Sequence, residues 1–291
     1  LIHVNARPID FDEFCCQSRE VRMIGERAAP GEAIAVFRGA SPLVRRVGLD
    51  QPWVWIGCGW KDLMAAPRVG FGYGATFVVA GFAIALALYA GGSIYLLVPL
   101  AAGFMLLAPL FAVGLYETSR RLEAGEPADL TAAMLAFRAN PEHIAYMGLV
   151  LMLLNLFWTR MATLIFAIFF GVPRTNLQGL ADLTLFSAQS LPFLIVGTLV
   201  GFVLAAATFA ISAVSIPMLL DRPQTPVWIA IATSFVVVRE NLKPMTLWAV
   251  LICGFSVLGM VPFFLGLAVT MPLVGYASWH CYKDMVTYPD A

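Results

Sequence analysis

Between Val69 and Leu115 the chain carries no charged side chain. Such a run can cross the roughly 30 Å hydrocarbon core of a bilayer twice, at about 20 residues per helical crossing. Its one interruption, Gly91-Gly92-Ser93, divides it into spans at 69–90 and 94–115. In hydrocarbon each backbone N–H and C=O must find a partner inside the protein, so these runs fold as helices. Comparable segments lie at 144–171, interrupted by Arg160, and at 191–214. Residues 245–279 are too long for one straight crossing and long enough for two. Gly259 and Pro262 offer a turn there, giving spans at 245–261 and 263–279.

Composition agrees with this reading. Apolar residues make up 60% of the chain and charged ones 12%, with a mean hydropathy of +0.82. Soluble chains carry about 25% charged residues. A soluble core of 291 residues could not hide this much apolar side chain. The formal net charge is zero, which points to neither nucleic acid nor an acidic partner.

The distribution of charge says more than its sum. With six spans, every basic residue other than Arg160 and Arg174 falls on one side of the membrane, in the N-terminal region, the second and fourth loops and the C-terminal tail. The positive-inside rule then places both termini in the cytoplasm. Residues 1–48 read as a polar, partly disordered cytoplasmic tail, and 49–291 as the membrane domain. Cys15, Cys16, Cys58, Cys253 and Cys281 show no CxxC spacing, so a reduced N-terminal region is expected rather than a disulfide framework.

Each pair of spans is preceded by a short amphipathic segment ending in a basic residue and a proline. The first, 50–66, has Asp50 as N-cap, Pro52 in its first turn, and Trp53, Ile56, Trp60 and Leu63 at helical spacing. The second, 129–140, has Leu130, Met134 and Phe137 on one face, and the third, 225–241, has Trp228, Ile231, Phe235 and Val238. Lys61, Arg138 and Arg239 fall near the C-terminal ends, where the helix dipole favours a cation. Pro67, Pro141 and Pro244 then interrupt the helix. The fold class read from this pattern is an all-α integral membrane protein. Its six transmembrane helices form three pseudo-repeated modules, each an interfacial amphipathic helix followed by a transmembrane hairpin. Trp53, Trp60 and Trp228 are its expected interfacial anchors, joined by Trp279, His280 and Tyr282 at the end of the last span.

Sequence motifs of catalysis are missing: there is no Walker loop, HExxH, GxSxG or dinucleotide fingerprint. Glycines 70, 72 and 74 in GFGYG open a span and read as packing contacts. The histidines, His3, His143 and His280, have no second histidine at helical spacing, whereas haem or copper in a bundle needs several inward ligands. No metal, cofactor or catalytic residue is therefore assigned. Gly197 and Gly201 form a GxxxG pattern suited to helix packing.

Arg160 is the strongest local anomaly. It sits inside an apolar span with Asn155 and Thr159 nearby, and an intramembrane charge is costly unless paired or snorkelled to the interface. A buried structural role, or a contact to a partner subunit or a lipid headgroup, is the reading preferred over transport.

PLVRR at 42–46, GWKD at 59–62, Tyr73-Gly74, GLYETSRR at 114–121, PMLLDR at 217–222 and GYASWHCY at 275–282 together resemble the bacterial inner-membrane family DUF2189 from about residue 42 onward. The resemblance implies a multi-pass protein without an established activity. Some members carry a provisional cytochrome c oxidase label, and catalytic oxidase subunits need intramembrane histidines that this chain lacks. The expectation is a non-enzymatic accessory subunit of a larger inner-membrane complex, a respiratory one being suggested by the label, with membrane lipids and other integral subunits as partners. The alternatives are a small transporter or channel with its site near Arg160, and a lipid-handling membrane protein.

Overall fold

The computed structural model describes residues 34–36, 42–92, 97–171, 184 and 186–288. Most of the polar tail and most of the loop between the third and fourth spans, with Arg174, lie outside the described residues. The chain forms α1 (Gln51–Ala65), α2 (Pro67–Ala90), α3 (Leu97–Phe111), α4 (Val113–Glu123) and α5 (Leu130–Leu135), the last followed by a 3-10 turn at Ala136–Ala139. Then come α6 (Pro141–Phe170), α7 (Ser190–Ser212), α8 (Ser215–Asp221), α9 (Val227–Glu240), α10 (Leu242–Met260) and α11 (Leu267–Met285). Three short strands, β1 (Ile34–Ala35), β2 (Leu43–Val44) and β3 (Val286–Thr287), make one antiparallel sheet in the order β1-β2-β3.

Helix boundaries follow the prolines. Ala66 (φ −125°, ψ 58°) and Asn140 (φ −148°, ψ 70°) leave helical geometry one residue ahead of Pro67 and Pro141, which open α2 and α6. Asn241 (φ −121°, ψ 39°) does the same before α10, whose first turn contains Pro244. Two further breaks were not expected. Ala112 separates α3 from α4 and Val214 separates α7 from α8, so the second and fourth spans each end in a short helix at an offset.

Among the described residues, five helical segments are long and apolar enough to cross a membrane: Pro67–Ala90, Leu100–Glu123, Pro141–Phe170, Ser190–Asp221 and Leu242–Met260. Helix α11 differs. Its C-terminal half carries His280, Lys283 and Asp284, and it is enclosed by α1, α2, α4 and α10. It returns the chain to the end where it started, because β3 directly following it pairs with β2: Leu43 with Thr287 and Val44 with Val286. Residues 43 and 44, assigned to the tail from sequence, are therefore part of the packed fold, and Val44 is fully buried.

The core is unevenly placed. Its large buried side chains, among them Trp55, Leu115, Met218, Trp248, Trp279 and Tyr282, come from α1, α4, α8, α10 and α11 and cluster at the basic end of the spans. This packed end is called the head below. Away from it the spans touch, as where Phe193 of α7 meets Phe166 and Phe170 of α6, but bury little: only 6% of the most apolar stretch of Pro67–Ala90 is buried, 6% of Ser190–Asp221 and 11% of Pro141–Phe170.

The three amphipathic segments all form helices, and their bulky residues point outward. Trp53 and Trp60 are exposed on α1, while Trp55, Gly59, Asp62 and Leu63 face the protein. Leu130 and Met134 are exposed and Ala133 is buried. Trp228 and Phe235 are exposed on α9, and Ala230, Thr233, Ser234 and Val237 are buried. Asp129 caps α5 by accepting a 2.6 Å hydrogen bond from the Ala132 amide; Asp50 makes no side-chain cap.

A buried acid–histidine cluster in the head and an exposed arginine on α6

Close approach of α1 to α11 begins with small residues. A Cβ added to Gly59 would stand 2.7 Å from the Ala277 amide nitrogen and 2.9 Å from the Leu273 carbonyl oxygen, so the two backbones touch there. One turn further along α1, Asp62 enters the interior, 6% exposed. Its Oδ2 accepts a 2.6 Å hydrogen bond from Ser119 Oγ of α4 and lies 2.8 Å from His280 Nε2 of α11. A carboxylate oxygen accepts, so in this pair Nε2–H of His280 is the donor. The other ring nitrogen, Nδ1, stands 3.6 Å from Glu123 Oε1. The imidazole thus lies between two carboxylates, and three helices from distant parts of the sequence meet on it.

Around this centre several other charges are also paired. Glu117, 6% exposed, takes Arg120 in a bidentate contact (both 2.8 Å) and Arg121 at 2.8 Å. Asp221 accepts from Tyr282 Oη at 2.8 Å and faces Lys283 Nζ at 3.6 Å. Burial pushes the Tyr282 phenol well above its ordinary pKa, and the neighbouring Asp221 carboxylate adds to the effect. Trp55 Nε1 donates to Asp284 at 3.1 Å, and its ring meets Trp248 edge-on, centroids 5.6 Å apart. Asn241, at the break before α10, donates to the Arg45 carbonyl (3.0 Å) and accepts from the Val47 amide (2.9 Å), tying β2 to the head. Among the described residues no group of three or more His, Cys, Asp or Glu side chains is arranged to hold a metal ion.

Trp279, His280 and Tyr282 are corrected by this geometry. Expected as interfacial anchors, they are 0%, 4% and 0% exposed and belong to the protein's own core. The aromatic-polar pattern that marks a membrane interface also suits a buried, hydrogen-bonded layer, and here α1, α4 and α8 cover it. Trp53, Trp60 and Trp228 are exposed as an outward anchor requires. Cys58 is disulfide-bonded, Cys253 and Cys281 are free, and the expectation of a reduced N-terminal region, with Cys15 and Cys16, falls outside the described residues.

Arg160 lies on the exposed face of α6, and among the described residues no carboxylate pairs with it. Its expected companions are used elsewhere. Asn155 Nδ2 donates to the Gly103 carbonyl of α3 at 2.6 Å, and Thr159 Oγ1 donates to the Asn155 carbonyl of its own helix at 2.9 Å. Of the glycine pair on α7, Gly201 packs on the Trp158 ring, whereas a Cβ at Gly197 would meet open space. The GFGYG run performs its expected packing role at Gly74, which abuts the Ala268 backbone, and at Gly70, beside Leu63 and Tyr276.

Missed by sequence reading were Asp62, Ser119 and Glu123. Their signal was present as spacing: Gly59 and Asp62 are three apart, on one helical face, and Ser119 and Glu123 are four apart.

Long apolar helices joined at a packed head define a multi-pass helical membrane protein. Residues 97–221 match the family model described as "Predicted integral membrane protein (DUF2189)", the family that the sequence motifs resemble. GLYETSRR and PMLLDR lie inside the match, and the head brings them against GWKD and GYASWHCY, which lie outside it. The chain matches no curated protein and no solved structure.

Proposed function

We propose that this protein is a non-catalytic accessory subunit of a larger complex in the bacterial inner membrane. The observation that carries this reading is the contrast between its two ends. The head is closely packed, while α2, α6 and α7 present most of their circumference outward. A bundle that acts alone through an internal site needs mutually packed spans to enclose that site. Spans packed most closely at one end and largely exposed along their length suit helices that complete their packing on another subunit. Arg160 is on the outside of the bundle, which favours an intermolecular role over a transport site. The provisional oxidase label in the resembling family makes a respiratory complex the first partner class to test.

The topology that goes with this reading has both termini in the cytoplasm. It is supported by the basic residues gathered around the head and by the β2–β3 pairing. Helices α1, α5 and α9 lie along the cytoplasmic interface with Trp53, Trp60 and Trp228 toward the headgroups, each leading into a pair of membrane segments. Helices α10 and α11 are the last pair, giving six in three similar modules.

Extraction from native membranes in a gentle detergent, followed by native mass measurement, tests the proposal. A particle containing this chain and other subunits in fixed stoichiometry is expected. Migration of the chain alone overturns the reading.

A further inference from the structure

Helix contacts place Arg160 in depth. Phe77 of α2 meets Phe104 of α3, ring centroids 5.7 Å apart, and Asn155 of α6 bonds Gly103 of α3, so these residues share one level. Both α2 and α6 run away from the head. At 1.5 Å per residue, Phe77 lies about 15 Å from the start of α2 at Pro67 and about 20 Å from its end at Ala90. Arg160, five residues beyond Asn155, lies about 7.5 Å further out. It therefore sits within roughly 5 Å of the mid-length of α2, and roughly 12 Å short of its outer end. That gap exceeds the length of an extended arginine side chain.

Around it the surface is largely apolar, the exposed Thr159 and Thr163 bonding their hydroxyls to carbonyls of their own helix. Leu153, Leu156, Phe157 and Leu164, at helical spacing from Arg160 on α6, are 51–54% exposed. A guanidinium cannot lose its charge at physiological pH, and at this depth it is costly unless a polar or anionic partner meets it, an anion offsetting the charge most directly. A second copy of the chain has none to offer: residues 69–115, 144–171, 191–214 and 245–279 contain neither Asp nor Glu. The outer headgroup phosphates lie beyond the reach just given.

We infer that the exposed face of α6 centred on Arg160 is a docking surface for a transmembrane helix of a different polypeptide, which carries an Asp or Glu near the middle of the bilayer. The inference rests on the accessory reading and names the surface and the partner's chemistry. Arg160 pairs with that carboxylate, and the leucines and Phe157 pack around the ion pair and exclude lipid.

The test uses the full chain in its native membrane, with a photo-crosslinking diazirine amino acid at Leu156 or Leu164. The expected product joins α6 to a membrane-spanning peptide of another protein that contains Asp or Glu. Arg160→Leu is expected to lower the crosslink yield at least about tenfold, because the partner's carboxylate is left buried and unpaired. Arg160→Lys, which keeps the charge, retains the product. Arg160 is exposed and makes no hydrogen bond or ion pair among the described residues, so thermal unfolding of the head is expected to be the same in all three proteins. Crosslinks to lipid alone, to a second copy, or to a helix without a carboxylate overturn the docking surface, as does a yield unchanged in Arg160→Leu. Those results leave the accessory reading standing if the native particle still holds its other subunits; a particle of this chain alone removes both.

Discussion

His280 Nε2 lies 2.8 Å from Asp62 Oδ2, joining the first helix of the fold to the last across 218 positions of sequence. The same carboxylate oxygen takes the Ser119 hydroxyl at 2.6 Å. Replacing Asp62 by Ala leaves two buried donors without acceptors, so a loss of about 2–4 kcal/mol is expected. Thermal or denaturant unfolding of the purified protein in detergent measures it. A cycle of Asp62→Ala, His280→Ala and the double variant should give a coupling energy of about 1 kcal/mol or more. Strictly additive effects would show that the pair does not act as a unit.

Asn241 extends the same logic to the termini. It is 2% exposed, and both ends of its amide bond the backbone that follows β2. Asn241→Ala should cost about 1–3 kcal/mol and free the Val47 amide. Hydrogen exchange at Val47 should then speed up ahead of exchange in α11. Unchanged exchange at Val47 would mean that β2 is held by the sheet and core contacts alone.

Glycine substitutions separate true close approach from apparent motif. At Gly74 an added side chain runs into the Ala268 backbone, which cannot step aside, whereas at Gly197 it enters open space. Gly74→Val is expected to destabilise the protein by about 3 kcal/mol. Gly197→Ala should stay within about 0.5 kcal/mol of the parent. Parallel melts of the two variants decide the matter, and equal losses would refute the assigned packing.

The apolar runs and the proline-led boundaries made the membrane helices legible, because a long charge-free run has few other folds and Pro67 and Pro141 each disfavour helix just before them, while Pro244 sits inside the first turn of α10. The faces of the amphipathic helices were less legible. Periodicity finds a stripe such as Trp53, Ile56 and Trp60 without saying which side it faces. Here the opposite side, built on Gly59 and Asp62, meets the protein because backbone contact requires small residues. The head itself was hidden for a different reason: Asp62, Ser119 and His280 are local anomalies of no weight singly, and only the return of α11 alongside α1 makes them one site. That return also explains Trp279 and Tyr282, whose aromatic character reads the same at a lipid interface and in a core.

The turn between α10 and α11 yields the last prediction. Phe264 packs on α2 at Gly81, where an added Cβ would touch its ring at 3.0 Å, and its ring centroid is 6.1 Å from that of Phe82. Gly81 is nine residues before the end of α2 at Ala90, about 13 Å short at helical rise. The turn residues Val261, Phe263 and Leu265 are exposed and uniformly apolar, and Phe263 (φ 50°) and Phe264 (φ 65°) adopt left-handed backbone where water would favour glycine or asparagine. A turn of this chemistry suits hydrocarbon, so the hairpin is expected to end inside the bilayer rather than emerge on the far side. Cysteine placed at Phe263 should therefore resist a membrane-impermeant maleimide added from outside intact spheroplasts, above the background of the parent protein. Cysteine at Tyr89, 74% exposed near the end of α2, should react readily. Equal labelling at the two positions would mean that the hairpin crosses the membrane completely.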